Sequence, residues 1–551
     1  MPDDDRAKKL IQRFDRLKSD RSVFESHWQE IRDYLLPLVQ AFTGKESKGS
    51  KNRDKILDGS GEDASELFSS GMQGLMVNPG TKWFGLRTRR RDLMNDFSVR
   101  VWLETVRERM MMVFESADSG FSTSIGQTLQ ETGDFGQGGI LITERPGKFP
   151  LFSARPLNEL HLDENHEGKI DTVFRAFEMT ARQAVEHFKG KGDPGAKVAA
   201  DAETVQGADK PYNFLHVIMP RSDRMIGKIN ARNLPFASFW VNRDEKHLIG
   251  ESGYHEFPLP IGRWRVRASE VYARSPGMRA LSEVKMLQRS MRATIRAAEK
   301  TIDPPLLVPD DGVLAPIRVT DNAINYYRAD MVNSRQPAIQ AIRTDARPDI
   351  GEEFAEGIRI RIQRAYYNHL LQLSRDPRMT ATQVIKLDEE TLRVLGPFIG
   401  RLQAELLGLV IERVFGIMLR SGMLPDAPPI LAGEDLEIEY ESPIAKAQRL
   451  SEVSALGQLF GVFEPLLQHN DELLDNLDAD TAFSASGDRL GVPKDWFRAP
   501  DKVSAMREAR QQVAEERERI SQVAQLASSA QSAGQAAGAL QDAGVLQREA
   551  A

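Results

Sequence analysis

"KMLQRSMRATIRAAEKTIDPPLLV", residues 285–308, decides how the second half of the chain folds. Lys285, Arg289, Arg292, Arg296 and Lys300 recur at intervals of four, three, four and four. At about 3.6 residues per turn this spacing predicts a helix with one basic stripe about 80° wide. Leu287, Met291, Ile295 and Ala298 fall on the other side, so the helix is amphipathic and buries that flank. Pro304 and Pro305 stop it, because proline lacks the amide donor and clashes with the preceding turn. Residues 303–349 are rich in Pro, Asp and Asn with scattered Val and Ile, which predicts a small β-containing lobe. A second helix follows over about 351–373. Its first turn carries Glu352, Glu353 and Glu356, where the helix dipole favours negative charge. If this helix returns antiparallel to the first, the three acids lie beside Arg296 and Lys300, and charge pairing between the helices is expected. Lys285, Arg289 and Arg292 have no such evident partner.

Outward from this pair the periodicity predicts further helices over 5–36, 61–77, 96–117 and 121–133. Between 138 and 260 the pattern changes to short strands: "GGILITER", "LFSARPLNELHLDE", "DTVFRAFEMT", "FLHVIMP" and "FASFWVNR". Turn-forming Gly, Pro, Asn and Asp separate them. Beyond the second helix, "SRDPRMTATQ" interrupts the helical pattern at Pro377 and offers Thr380 with Gln383 as a capping box. A long helix over 380–421 then follows, expected to kink at Gly396-Pro397. "EDLEIEYESP" (434–443) alternates like a strand, and 444–526 is helical again. The tail "QLASSAQSAGQAAGALQDAG" has only small and polar side chains to pack, so it is expected to be disordered or weakly helical. The class is α+β, predominantly helical.

Composition narrows the function. The chain has 551 residues, a formal net charge of −7 and no Cys. Disulfides, thiolate zinc sites and thiol catalysis are closed to it. A mildly acidic balance disfavours generic binding to nucleic acid, so contacts with a polyanion must come from local basic clusters. The charged start "MPDDDRAKKLIQRFDRLKSDR" lacks the apolar core of an export signal. The most apolar segment, "LLGLVIERVFGIML" (406–419), carries Glu412 and Arg413 and is shorter than the roughly 20 residues that span a bilayer. No membrane span is expected.

No stretch makes a persuasive active site. "GKGDPGAK" (190–197) lacks the Gly-Lys-Ser/Thr ending of a phosphate-binding loop. "GDFGQGG" (133–139) sits between a helix and a strand, the reverse of the dinucleotide-binding order, and reads as a turn. "HLDENH" (161–166) gathers two His with Asp163 and Glu164, but as a strand end and turn rather than a metal-binding helix. Neither metal nor cofactor is expected, and the chain is not read as an enzyme. A nucleic-acid translocating enzyme is the alternative class, disfavoured by the missing nucleotide motif; a basic amphipathic helix lying on a membrane is a third.

Five stretches occur in order: "SGMQGLMVNPGTKWFGL" (70–86), "EVYARSPGMRALSEVKMLQ" (270–288), "IDPPLLVPDDG" (302–312), "RMTATQVIKLDEETLRVLGPFIGRLQAELLGLVIERVF" (378–415) and "IEYESPIAKAQRLSE" (438–452). With them, the order of parts resembles the portal, or head-to-tail connector, proteins of short-tailed, T7-like bacteriophages. The resemblance implies a portal fold: a wing over 1–276, a first stem helix over 277–302, a clip over 303–349 and a second stem helix over 350–372. It further implies a tunnel loop over 373–382, a return to the wing over 383–443, a crown over 444–526 and a flexible tail over 527–551. It implies a homo-oligomeric ring, typically of twelve subunits, at one capsid vertex of a virion assembled in the host bacterial cytoplasm. Double-stranded DNA passes through such a ring during packaging and ejection. The implied partners are the terminase large subunit, the major capsid and scaffolding proteins and a tail adaptor, with no membrane. In that frame Arg375 and Arg378 on the tunnel loop are the first candidates to face DNA, and Lys285, Arg289 and Arg292 the second. Arg296, Lys300, Glu352, Glu353 and Glu356 are expected to pair within the stem.

Overall fold

The structure is a computed structural model. It describes residues 3–37, 41–43, 53–78, 81–225, 228, 230–304, 306–309, 318, 323–327, 340–341, 348–371, 381–431, 433–434, 436–440, 453, 455–459, 461–462, 478–490, 492, 496–498 and 500–546. The chain forms two units, one of Met1–Arg89, Thr105–Ala427 and Glu434–Ala447, the other of Arg90–Glu104, Pro428–Gly433 and Gln448–Ala551.

Helix α1 (Asp3–Leu35) opens the chain and follows the predicted period, with Ala7, Phe14, Leu17, Trp28, Ile31 and Leu35 buried. Next come α2 (Ser60–Met76), β1 (Phe84–Thr88), α3 (Phe97–Glu115) and α4 (Phe121–Phe135). Around the end of α3, the rings of Trp83, Phe84, Phe114, Phe121 and Phe152 form one aromatic cluster. The Gly-rich stretch 133–139 turns α4 into β2 (Gln137–Thr143) through Gly136 at φ 96°, where a Cβ would stand 2.4 Å from the Ala273 carbonyl oxygen. Only glycine fits that turn.

The strands that follow are β3 (Leu151–Arg155), β4 (Leu160–Glu164) and β5 (Ile170–Thr180). After two short helices, α5 (Ala181–Phe188) and α6 (Ala196–Ala202), come β6 (Pro211–Pro220), β7 (Phe236–Asn242), β8 (His247–Tyr254) and β9 (Ile261–Arg263). Strands β4 to β8 form an antiparallel meander in chain order, and β3-β2-β9 a smaller sheet. The two-residue alternation sorts the meander's side chains between two layers. Phe174, Leu215, Val217 and Val241 pack against Phe14 and Leu17 of α1, while Tyr212, Phe214 and Ile249 pack against Ala184 and Phe188 of α5 and Val198 of α6. The elements β8, β9, α5 and α6 were not read from the sequence.

The quoted stretch forms α7 (Pro276–Ile302), followed by three short strands, β10 (Leu306–Pro309), β11 (Ile324–Tyr327) and β12 (Gln340–Ala341), in the order β11-β10-β12. The second helix, α8 (Pro348–Ala365), is shorter than expected. Tyr367 adopts φ 59° and breaks it, leaving α9 (Asn368–Leu371) as a separate turn. The expected long helix runs as α10 (Ala381–Leu402), a π-helical turn (Gln403–Leu407) and α11 (Gly408–Arg420). The π-helical turn at 403–407 was not read from the sequence, and Gly396-Pro397 lies inside α10. The widened turn has local partners: Glu405 bonds the buried Arg263, and the Tyr440 hydroxyl donates to the Gln403 carbonyl at 2.8 Å. Strand β13 (Leu436–Tyr440) pairs antiparallel with β1.

In the second unit, α12 (Ala479–Leu490) is tied to α13 (Pro500–Leu546) by Arg507 and Asp480, and the Phe483 ring of α12 meets Phe497 just ahead of α13. Helix α13 carries the tail to Leu546. Alanine, the strongest helix former, supplies local propensity there.

Candidate functional site

Helices α7 and α8 pack against each other as an antiparallel pair. Gly351 lies against Thr294, Arg359 against the Met291 sulfur at 3.9 Å, Arg361 against Glu283 at 2.9 Å, and Tyr366 beside Gly277. Ala280, Leu281, Val284 and Leu287 on α7 and Ala355, Ile358 and Ile362 on α8 form the buried seam. Ile295, expected on the buried flank, is 40% exposed: the apolar stripe drifts off the seam towards the far end of α7.

Three polar anchors fix the pair to the body. At the start of α7, the Ser275 hydroxyl accepts the Met278 amide at 2.8 Å and donates to the Asp134 carbonyl at 2.7 Å. The Asp134 carboxylate, fully buried, accepts Ser65 at 2.6 Å and Tyr366 at 2.5 Å, joining α2, α4 and the end of α8. Burial pushes its pKa up to about 6, against the two hydroxyl donors that favour the charged form. Midway, the buried Gln288 accepts the amides of Leu57 and Asp58 and donates to the Asp58 carbonyl. Finally, Arg359 reaches Asp58 at 2.9 Å, Glu352 at 2.8 Å and Glu356 at 3.0 Å. Burial opposes the charge on Asp58, but the Ser60 and Arg359 donors prevail and hold its pKa below the ordinary carboxylate value.

This corrects the expected pairing. Glu352 and Glu356 bind Arg359 on their own helix, three to seven positions away, where helical geometry already presents a cation. Among the described residues no ion pair joins Glu352, Glu353 or Glu356 to Arg296 or Lys300. Lys285, read as unpartnered, sits 2.7 Å from Glu30 and 5.7 Å from the Tyr34 ring. Arg289, Arg292 and Arg296 are exposed and Lys300 half-buried; none of them forms an ion pair among the described residues, nor does the exposed Glu353. Arg375 and Arg378, with the capping residue Thr380, lie outside the described residues, as does most of 303–349.

The residues of "HLDENH" serve the body. His161 is buried against the Phe14 ring at 4.7 Å, and desolvation pushes its pKa down to about 2. Asp163 pairs with Arg13 and Glu164 with Arg263. Among the described residues no group of three or more His, Cys, Asp or Glu is placed to hold a metal, and no helix is long and apolar enough to cross a membrane. Sequence reasoning missed Asp134, hidden in a stretch that reads as a turn, and Arg359, whose partner Asp58 lies 301 positions away. It also missed a cleft of about 490 Å³ at the start of α7, lined by Arg265, Arg267, Arg274 and Arg279 beside Tyr367. These arginines are dispersed in sequence with no helical period to mark them.

The family described as bacteriophage head to tail connecting protein matches residues 7–497. The chain belongs to that family. The portal protein of Salmonella phage epsilon15 is 32% identical over 517 residues, covering 92% of this chain and 91% of its own. The probable portal protein of Bordetella phage BPP-1 is 29% identical over 542 residues, 96% of each. Among solved structures, the neck of an empty GTA particle aligns at 10% identity with a TM-score of 0.36, covering 75% of this chain and 91% of its own. The virion of a native gene transfer agent particle aligns at 10% with a TM-score of 0.35, covering 78% and 94%. For a head-to-tail connecting protein, the α7–α8 pair is the element of interest, with Arg289, Arg292 and Arg296 exposed along one face of α7.

Proposed function

We propose that this chain is the subunit of a portal ring, typically of twelve copies, at one vertex of a phage capsid. Double-stranded DNA passes through the ring during packaging and ejection. In this reading α7 and α8 are the stem, residues 303–349 with β10–β12 the clip, residues 373–382 the tunnel loop and residues 444–526 the crown. The terminase large subunit and later a tail adaptor dock on the ring, and the major capsid and scaffolding proteins surround it. The observation that carries the reading is near full-length similarity to the epsilon15 portal protein together with the family match over 7–497.

A conduit must confine a polyanion without holding it. Six to ten firm phosphate contacts already give tight, steeply salt-dependent binding, so about twelve copies each holding one phosphate would arrest the duplex. An acidic chain with sparse basic rings suits sliding, and no base readout is expected of a ring that meets phosphates at changing register. Arg375 and Arg378 are the proposed DNA-facing residues. Lys285 is a poorer candidate, because Glu30 already neutralises it. The test replaces Arg375 and Arg378 by Glu and measures packaged DNA length and retention. Shortened or leaking DNA is the expected result, and unchanged packaging would remove the assigned role. ATP hydrolysis by the purified chain would revive the enzyme reading.

A further inference from the structure

Over the turns around Arg292 and Glu353 the two outward faces of the α7–α8 pair carry opposite charge, with exposed Glu299 beyond those turns on α7 and exposed Arg364 nearer the body on α8. The basic stripe of α7 lies opposite its buried seam: with Leu287, Val284 and Ala280 against α8 and the body, Arg289, Arg292 and Arg296 point the other way and are exposed. On α8, Ala355, Ile358 and Ile362 face α7, which turns Glu353, Glu356 and Ile360 outward. Exposed apolar side chains accompany the acids there, Phe354 at 52% and Ile350 at 55%. Antiparallel register fixes the heights. With Gly351 against Thr294 and Arg361 against Glu283, Glu353 stands level with Arg292 and Glu356 level with Arg289.

We infer that the basic face of α7 in one copy docks on the acidic face of α8 in the next, so that Arg292 meets Glu353 and Arg289 meets Glu356 across a repeated head-to-tail interface. Copies related by pure rotation about a ring axis keep their heights along it. Residues level within one hairpin therefore remain level between neighbouring hairpins aligned with that axis. A basic face and an acidic face on opposite sides of the same hairpin are the arrangement that a heterologous interface needs, and one that a two-fold interface would not use. The apolar Phe354 and Ile350 would lose their exposure at the same contact. The inference rests on the ring reading, and it competes with a role for Arg289 and Arg292 in touching DNA.

The experiment uses the full chain, sized by native mass spectrometry and sedimentation without DNA, in four preparations: unaltered, Arg292→Glu, Glu353→Arg, and the two single variants mixed. The unaltered chain is expected to form closed rings. Each single variant is expected to lose most of its rings to single chains, with an unchanged circular dichroism spectrum showing that the fold survives. Mixing the two should restore rings in which the variants alternate. Every contact then joins opposite charges, the altered α7 face of one variant meeting the altered α8 face of the other, and the unaltered faces meeting likewise. Three results would overturn the inference: single variants that assemble normally, which would leave the stripe for DNA; rescue only when both changes are in one chain, which would return the pairing to within the hairpin; and defective singles rescued neither by mixing nor by combination. Absence of rings in the unaltered chain would overturn the portal reading itself.

Discussion

Arg359 and Asp58, 301 positions apart in sequence, are joined by two hydrogen bonds of 3.0 and 2.9 Å to one carboxylate oxygen. The pair bolts α8 to the segment that leads into α2, and it also explains why the acids of α8 do not turn to α7. Arg359→Ala strands the mostly buried Asp58, so it should cost about 2–3 kcal/mol of stability, the usual penalty for an unsatisfied buried charge partner. Urea unfolding of the variant measures this. Arg359→Lys should recover only part of the loss, because an ammonium cannot serve Asp58, Glu352 and Glu356 with a planar fork. A change below about 0.5 kcal/mol in Arg359→Ala would show the bolt to be decorative.

Arg263 is fully buried, with two bonds to Glu405, one to Glu164 and two to backbone carbonyls. It holds β9 to the π-helical turn. Arg263→Ala should cost about 3 kcal/mol, because it leaves Glu164 without this cation and Glu405 with only the part-exposed Arg401 at 3.2 Å. Adding Glu405→Gln to it should return part of that loss, a coupling that a double-mutant cycle detects. Strict additivity would mean that the two residues act independently.

Asp134 predicts a pH dependence with a definite sign. Its folded pKa, about 6, lies above its ordinary value of 3.8, so the folded state holds the proton more tightly. The associated stability is fully present below about pH 4 and is lost as pH rises through about 6. Asp134→Asn cannot ionise, so the difference in unfolding free energy between variant and parent should shift in favour of the variant between about pH 4 and 6 and level off above. A difference constant across this range would contradict the assignment. Comparing variant with parent removes the opposing contribution of buried His161, which resists protonation in the folded state.

Much of the body was legible because burial there is set by short-range period. Phe14, Leu17, Trp28 and Ile31 recur at helical spacing, and the alternation of Phe214 and Leu215 sorts two faces of a strand without knowledge of what covers them. The antiparallel return of α8 was raised only as a condition, since two amphipathic helices and an interruption between them permit it without requiring it. Which cation meets which acid did not follow. Glu352 had Arg296, Lys300 and Arg359 within reach of a reasonable guess, and an in-helix partner at a fixed spacing prevailed over one that required packing to be known. The early end of α8 was equally hidden, since Tyr367 at φ 59° is a penalty repaid by the Tyr366 bond to Asp134, more than 200 positions distant.

Passage of DNA should leave a thermodynamic mark. If contacts are sparse, affinity of the assembled chain for duplex DNA should fall with salt on a log–log slope shallower than that of a site making about 6–10 phosphate contacts. Titration at several salt concentrations reads the slope, and a steep one would mean a clamp rather than a conduit.

The most direct test is a cryo-electron microscopy map of the purified full-length protein. Closed rings should appear, with a central hole wide enough for a DNA duplex, α7–α8 pairs arrayed around it and residues 373–382 facing the bore. Single globules at concentrations used for assembly, or a ring with 373–382 on its outer rim, would contradict the portal reading.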